Sequence, residues 1–408
     1  MANTFVSPDL WPRIMGGMLE VLREECVLLR NRIVSTNYDG TEGKIGQTVN
    51  IGVPDTLTVT PVTPGPVVPA SPDMNILSKV VTIDQWNKVN FHVNPYEFTV
   101  HEMEMYLPKF CVELARQLAR DVNKAIMAEV ELGSYGYAGT AGTNPFTGSA
   151  TINPLADLAY VLRNQLCPMD RLDFVMGLFE EQAFKKVSNL NQYLQFGDRS
   201  VIQRGEFGEV LGFNCHVDRD CPKHTAGSVT GAGTIVTGVN AIGSTSIGMT
   251  TTGGGDAIAL KKGDIITFST SPTDVQTYAV QADLTVGGTS TGTLTILPGL
   301  KVATSGSETL TVKATRSINF GGDLANAIAL VMRMPPESVQ LPLPGDGTAV
   351  GNMELGQSLA WTDSVCGIPM RLNLYNGYHQ LTVEASILYG TRLVDPRRIA
   401  QLAGNVSA

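Results

Sequence analysis

Between Ser7 and about Arg32, the apolar residues Leu10, Ile14, Met18, Val21 and Leu22 recur at helical spacing, and Ser7-Pro8 reads as cap and first turn. Gly16-Gly17 interrupts this run. Each glycine costs about 1 kcal/mol relative to Ala in a helix, so the segment is expected to need an outside contact to order. From Lys44 to Tyr96 the period changes to two. Val49, Ile51, Val53, Leu57 and Val59 alternate in one arm, and Val81, Ile83, Val89, Phe91 and Val93 in the other. Between the arms, Pro61 to Pro72 includes Pro61, Pro64, Pro66, Pro69 and Pro72, which lack N–H donors and suit an extended tip. Arms of about fifteen residues reach about 50 Å, whereas a globule of this length has a radius of gyration of about 22 Å. The spacing therefore predicts a hairpin projecting from the body, in need of cover because a lone two-stranded ribbon is marginal in water.

The strongest helical signal lies between Thr99 and Gly133, where Leu107, Phe110, Leu114, Leu118, Val122, Ile126 and Val130 fall three and four apart. Pro108 is tolerable only near the first turn. The pattern predicts a helix of about 37 Å from Pro108 to Leu132, stopped by Gly133. A second helix is predicted from Asn153 to Leu166, with Asn153 as cap and Pro154 in the first position. Leu172–Leu178 reads as a buried strand and Phe179–Val187 as a short helix. Between Pro222 and Arg316 the chain turns rich in Thr and Gly. Short β-like runs follow at Ile235–Val239, Ala257–Leu260, Ile265–Ser269, Tyr278–Val286, Leu294–Leu297 and Leu310–Ala314, and together they predict a separate small β-barrel. Beyond it, Leu324–Met334 reads as helical, and Pro369–Tyr375 and Tyr378–Leu388 as extended.

Length and composition add bounds. A chain of 408 residues suggests two to three domains. Charged residues make up 16%, against about 25% in an average domain, so much of the surface is neutral. A formal net charge of −9 argues against an electrostatic grip on nucleic acid. No run of about 18 apolar residues occurs and Met1–Phe5 lacks a basic signal region, so a soluble, cytosolic product is expected. The six scattered cysteines are expected to be free thiols.

Chemistry-bearing motifs are weak. Cys215, His216, Cys221 and His224 offer four zinc-type ligands within ten residues, but their spacing matches no standard finger or ribbon. They read as free thiols beside exposed histidines at the entry to the β insert, and no metal or cofactor is expected. Gly288-Thr289-Ser290-Thr291-Gly292 fits G-x-S-x-G, yet it lies in a β region with no helix after it, so a hairpin loop is the better reading. Gly253-Gly254-Gly255-Asp256 and Lys262-Gly263-Asp264 read as turns. Glu180-Glu181 are adjacent on a helix and do not face one another, which suits a solvated face better than an acid–base pair. None of the five histidines sits in an H-E-x-x-H arrangement, and no enzyme is expected.

An arm, a projecting hairpin, a long helix, an α+β body and an inserted β unit follow one another in this order. That order resembles the major capsid (coat) proteins of tailed bacteriophages with the HK-ninety-seven-like fold, more narrowly the P-twenty-two-type coat proteins with an inserted domain. The narrower likeness rests on Val201-Ile202-Gln203-Arg204 with Phe207-Gly208-Glu209-Val210-Leu211, Leu260-Lys261-Lys262-Gly263-Asp264-Ile265-Ile266-Thr267-Phe268, and Leu388-Tyr389-Gly390-Thr391-Arg392. The resemblance implies an N-arm at 1–45, an E-loop at 46–98, and a peripheral domain with the spine helix at 99–150, to which the chain returns at about 320–345 and 370–395. It also implies an axial domain at 151–220 with about 345–370, an inserted β-barrel at 222–317 and a C-terminal tail at 396–408.

Such proteins have no catalytic site and assemble as pentamers and hexamers into an icosahedral virion shell around packaged double-stranded DNA, without sequence-specific binding. The implied partners are copies of the chain, a scaffolding protein, a portal protein and a decoration protein, with no membrane and with assembly in the host cytoplasm. Because the chain opens directly on the arm, a separate scaffold is expected rather than a fused one. Asp9, Glu20, Glu24 and Glu25 are its candidate contacts, and Pro61, Pro64, Pro66, Pro69 and Pro72 are candidates for reaching a neighbouring subunit. The alternative is another virion component, a tail or decoration protein.

Overall fold

The computed structural model describes residues 10–31, 33–54, 61, 76–94, 103–146, 152–187, 208–231, 234–253, 255–270, 274–336, 354–363, 366–377 and 379–405. Ser7-Pro8, Asp9, Leu57, Val59, the tip prolines Pro64, Pro66, Pro69 and Pro72, and the 201–207 motif lie outside the described residues; Pro61 is irregular and exposed. A helix of 31 residues, Met103–Gly133, spans about 46 Å. It starts upstream of the predicted Pro108, which sits inside it and forgoes the bond to the carbonyl four residues back. Leu114, Leu118, Val122, Ile126 and Val130 are buried as their spacing predicts. Phe110 instead points outward, its ring 5.7 Å from that of Phe91, and Cys111 takes the core position beside it.

The N-terminal arm is part of the core. In the helix Leu10–Glu25, the residues Ile14, Met18, Leu19 and Leu22 are buried in one cluster with Leu118, Val122 and Ile126 of the long helix. The outside contact that the glycine pair called for is therefore supplied within the same chain, and the arm is not an extension free of any core. After the short helix Val27–Arg30, strand Ser35–Glu42 lies parallel to Ile328–Met334.

Six strands form the main sheet against the long helix. Its path runs Ser35–Glu42, Ile328–Met334, Gln380–Leu393, Pro369–Gly377 and Glu354–Thr362, with Gln85–Val93 on the other side of 380–393. Two expectations change here. The predicted helix Leu324–Met334 is helical only over Leu324–Ala327, after which Ile328–Met334 is a strand buried at every position; a run covered on both faces has no amphipathic period to read. The second hairpin arm is also shorter than predicted. Thr48–Pro54 pairs with Ile76–Thr82 as a two-stranded ribbon, while Val89, Phe91 and Val93 pair with Gln380–Leu393 in the main sheet.

A second, seven-stranded sheet contains Gly136–Ala138, Ile399–Gly404, Arg316–Gly322, Leu172–Met176, Phe213–Val217 and Glu209–Val210, with Lys223–His224 against 316–317. The helix Asn153–Asn164 covers it through Leu155, Leu158 and Leu162. Ile152 precedes this helix as the cap without a side-chain bond, so Asn153 is not the cap. Residues 396–408 are more than a tail, because Ile399–Gly404 is a buried strand between two others. Likewise 354–362 belongs to the long-helix sheet rather than to the 151–220 part of the body.

Between Lys223–His224 and Arg316–Gly322, nine strands surround one apolar core of residues such as Val236, Ile247, Ile266, Phe268, Tyr278, Val280 and Ile296. Their hydrogen bonds make a six-stranded and a three-stranded sheet, with no pair closing a ring among the described residues. The predicted strand Tyr278–Val286 is divided. Tyr278–Val280 lies in one sheet and Leu284–Gly287 in the other, and between them the Asp283 carboxylate accepts the Lys262 N–H at 2.7 Å.

Candidate functional site

The zinc-type residues do not converge. Cys215 is buried in the apolar core under the second sheet and His216 faces Asp173 at 3.4 Å. Cys221 is half-buried, and His224 is 3% exposed and engaged elsewhere. No group of three His, Cys, Asp or Glu suited to a metal occurs among the described residues. The expectation of exposed histidines is corrected at His224, and that of a solvated Glu180 also fails: Glu180 is 2% exposed and accepts a hydrogen bond from Ser317 Oγ. Gly288 to Ser290 joins Leu284–Gly287 of the insert's three-stranded sheet to Thr291–Leu297 of its six-stranded sheet, so the stretch is a crossover between sheets rather than the expected hairpin loop, and a strand rather than a helix follows it. All six cysteines are unpaired, and no described helix is long and apolar enough to cross a membrane.

Two polar junctions bind the parts of the chain together. The first joins the end of the arm helix to the long helix and to the loop after Phe213–Val217. Arg116 Nε donates to Glu25 at 2.9 Å, and Arg120 makes a two-pronged contact with Asp220 at 2.8 and 3.0 Å. Asn123 Nδ2 donates to the Glu25 carbonyl at 2.9 Å and to Asp218 at 3.1 Å. Burial pushes the Asp218 carboxyl up to about 6, against the hydrogen bond it accepts from the Asp220 N–H. Among the arm carboxylates proposed from the sequence, Glu20 and Glu24 are exposed, whereas Glu25 is half-buried against Arg116. Arg23 fixes the other side of the arm, donating to buried Asp363 at 2.7 Å.

The second junction is the neck of the β insert. Its incoming strand Lys223–His224 pairs antiparallel with the start of its outgoing strand, so that His224 lies opposite Arg316. His224 Nε2 lies 2.8 Å from Asp264 Oδ1 and Nδ1 lies 3.0 Å from Glu131 Oε1. Asp264 also accepts the N–H groups of Lys261 at 2.7 Å and Gly227 at 3.1 Å. Gly263 is left-handed with φ of 90°, and a Cβ there would sit 3.1 Å from the Glu131 carbonyl and 3.2 Å from the His224 ring, so the turn needs glycine. Arg316 is fully buried, donates to Gln401 at 3.0 and 3.1 Å and to the Gly263 carbonyl at 3.3 Å, and lies 5.6 Å from the Tyr137 ring. Gln401 in turn donates to Ser134 Oγ at 2.7 Å.

Burial opposes charge on Arg316, His224 and Asp264. It pulls Arg316 down. On His224 and Asp264 it is outweighed by their mutual hydrogen bond and further partners, so His224 is raised above 6.5 and Asp264 is lowered. Sequence reasoning named Asp264 only as a turn residue and Arg316 only as the border of the Thr- and Gly-rich stretch, and gave no role to Glu131 or Asp218, because their partners are tens of residues away. The surviving signal was His224 at the compositional border of the insert.

No protein-family model and no curated protein sequence matches the chain. Solved structures share its outline at low identity. The capsid of Ralstonia phage GP4 is 8% identical with a TM-score of 0.46, covering 92% of this chain and 88% of that one. The capsid of a native GTA particle is 12% identical with a TM-score of 0.46, covering 93% and 90%. The mature capsid of bacteriophage PhiM1 is 9% identical with a TM-score of 0.45, covering 92% and 86%.

Proposed function

We propose that this chain is a tailed-bacteriophage major capsid protein of the HK-ninety-seven-like, P-twenty-two-type class, a structural protein that encloses double-stranded DNA in a shell of pentamers and hexamers. The observation that carries this reading is the set of open extended elements around a firmly packed body. The ribbon of Thr48–Pro54 and Ile76–Thr82 packs Val81 and its neighbours on the main sheet but pairs with no third strand among the described residues, so its strand edges stay open. Strands Gln85–Val93 and Glu354–Thr362 each pair on one side only among the described residues, and they carry Trp86 and Trp361 at 47% and 49% exposure. Open edges with large exposed apolar residues invite pairing with another chain, and a low charged fraction leaves little to repel identical copies.

On this reading the Pro61–Pro72 tip reaches an adjacent subunit, and a separate scaffolding protein engages the exposed arm carboxylates Glu20 and Glu24. The portal and decoration proteins are further partners, and the −9 net charge suits a lining that does not hold DNA by charge. Sedimentation of the expressed protein on a sucrose gradient tests the reading. Particles of megadalton size are expected; protein that remains entirely as monomers or small discrete oligomers at high concentration contradicts it.

A further inference from the structure

The neck that joins the β insert to the body is built from four buried or half-buried ionisable side chains on four separate segments. Glu131 comes from the last turn of the long helix, His224 from the incoming neck strand, Asp264 from the 261–264 turn inside the insert, and Arg316 from the outgoing neck strand. Both ring nitrogens of His224 face carboxylate oxygens. An ionised carboxylate only accepts hydrogen bonds, and a neutral imidazole has a single N–H. Both contacts can be hydrogen bonds only when the ring carries two protons. Asp264 is held in its ionised form by the N–H groups of Lys261 and Gly227 in addition to His224.

We propose that His224 is a protonation-dependent latch: as an imidazolium it clamps the Asp264 turn of the insert to Glu131 of the long helix, and its deprotonation loosens the insert at the neck. With the proton in place, the two cations His224 and Arg316 balance the two anions Asp264 and Glu131. Without it, one carboxylate faces a ring lone pair, and the cluster keeps an uncompensated negative charge inside the protein. Arg316 supplies charge but no hydrogen bond to either carboxylate: its Nε and Nη2 groups donate to Gln401 and the Gly263 carbonyl, and its buried Nη1 meets no acceptor. Lys223, the other charge on the histidine's strand, is exposed. Loosening does not mean release, since Tyr135, Ile265 and Ala279 form a separate apolar contact between the body and the insert. The latch acts within a single chain, whether or not the chain assembles.

The sign follows from the raised pKa. The stabilisation is complete below the unfolded histidine value of 6.5 and is lost as the pH rises through the folded value. Hydrogen exchange read by mass spectrometry on the full chain from pH 6 to 9, corrected for intrinsic rates, tests it. Amides at 224–227 and 261–264 should lose at least tenfold protection across that range, while Ile328–Met334 in the body stays unchanged. In Glu131→Gln the side-chain amide can donate to a neutral ring that donates to Asp264, so the neck should stay protected at high pH and lose most of its pH dependence. His224→Gln should show weak, pH-independent protection at the neck. Wild-type neck protection that does not change with pH, or a Glu131→Gln variant that keeps the full wild-type pH dependence, overturns the proposal.

Discussion

Replacing Gly390 by Ala should destabilise the protein, whereas the same replacement at Gly16 and Gly17 should stabilise it. Gly390 lies in the central strand Gln380–Leu393, where the base of the ribbon crosses closest to the sheet. A Cβ built there would sit 2.1 Å from the Thr82 carbonyl oxygen, 2.8 Å from its carbon and 3.0 Å from Ile83 Cα. These are backbone atoms, and they cannot swing aside because Val81 and Ile83 are fully buried against Val331 and Leu388. The ribbon base would have to move by about 1 Å, an overpacking cost of about 1–3 kcal/mol. Against this stands a gain of about 0.5–1 kcal/mol for removing glycine from a strand, so a net loss of about 1–2 kcal/mol is expected, a change of about 5–30-fold in the folded-to-unfolded ratio. At Gly16 and Gly17 an added Cβ meets nothing within 4 Å and φ is not positive, so each Ala should add about 1 kcal/mol of helix stability. Reversible urea unfolding of unassembled subunits, followed by far-ultraviolet circular dichroism, reads both. A Gly390→Ala subunit as stable as the parent, or a Gly16→Ala/Gly17→Ala subunit less stable than it, would refute the reasoning.

Leu22→Ala should cost about 2–5 kcal/mol, since the side chain is fully buried between arm and long helix; urea midpoints and faster proteolysis within the arm check it, and an unchanged midpoint would place the arm outside the core. Asp218 holds its proton up to about pH 6 in the folded state against 3.8 for an ordinary carboxyl, so its stabilising contribution is complete below 3.8 and is lost as the pH rises through about 6. Two units correspond to about 3 kcal/mol. Asp218→Asn should therefore gain on the wild type by about 1–3 kcal/mol between pH 4 and pH 7, and a constant difference between the two curves would remove the cause assigned to the shift. If the proposed scaffolding protein binds the arm, Glu20→Lys/Glu24→Lys should reduce its co-sedimentation with assembled particles while leaving subunit stability within about 0.5 kcal/mol; full scaffold incorporation would dismiss the arm as its contact.

The sequence was most legible where one face alone is buried. The long helix shows its core stripe from Leu114 to Val130 because its opposite side carries charges that meet solvent or Glu25 and Asp220. Period two was equally clear at Val49–Val53 and Val89–Val93, but alternation does not say which strand is the partner, and the two runs belong to different sheets. Ile328–Met334 gave a helical reading because it is buried on both faces. Ile399–Gly404 gave no reading at all, since Ala400, Ala403 and Gly404 are small residues fitted between neighbouring strands. Polar junctions are the least legible features. His224 lies 40 positions from Asp264 and 93 from Glu131, and no local spacing connects them. The arm's ion pair crosses 340 positions, from Arg23 to Asp363.

The most direct test of the central claim is negative-stain electron microscopy of the purified protein, expressed alone and with the proposed scaffolding protein. Closed shells or polyheads built of five- and six-fold capsomers are predicted. Fields that contain only tubes, fibres or small discrete oligomers under both conditions would contradict the account.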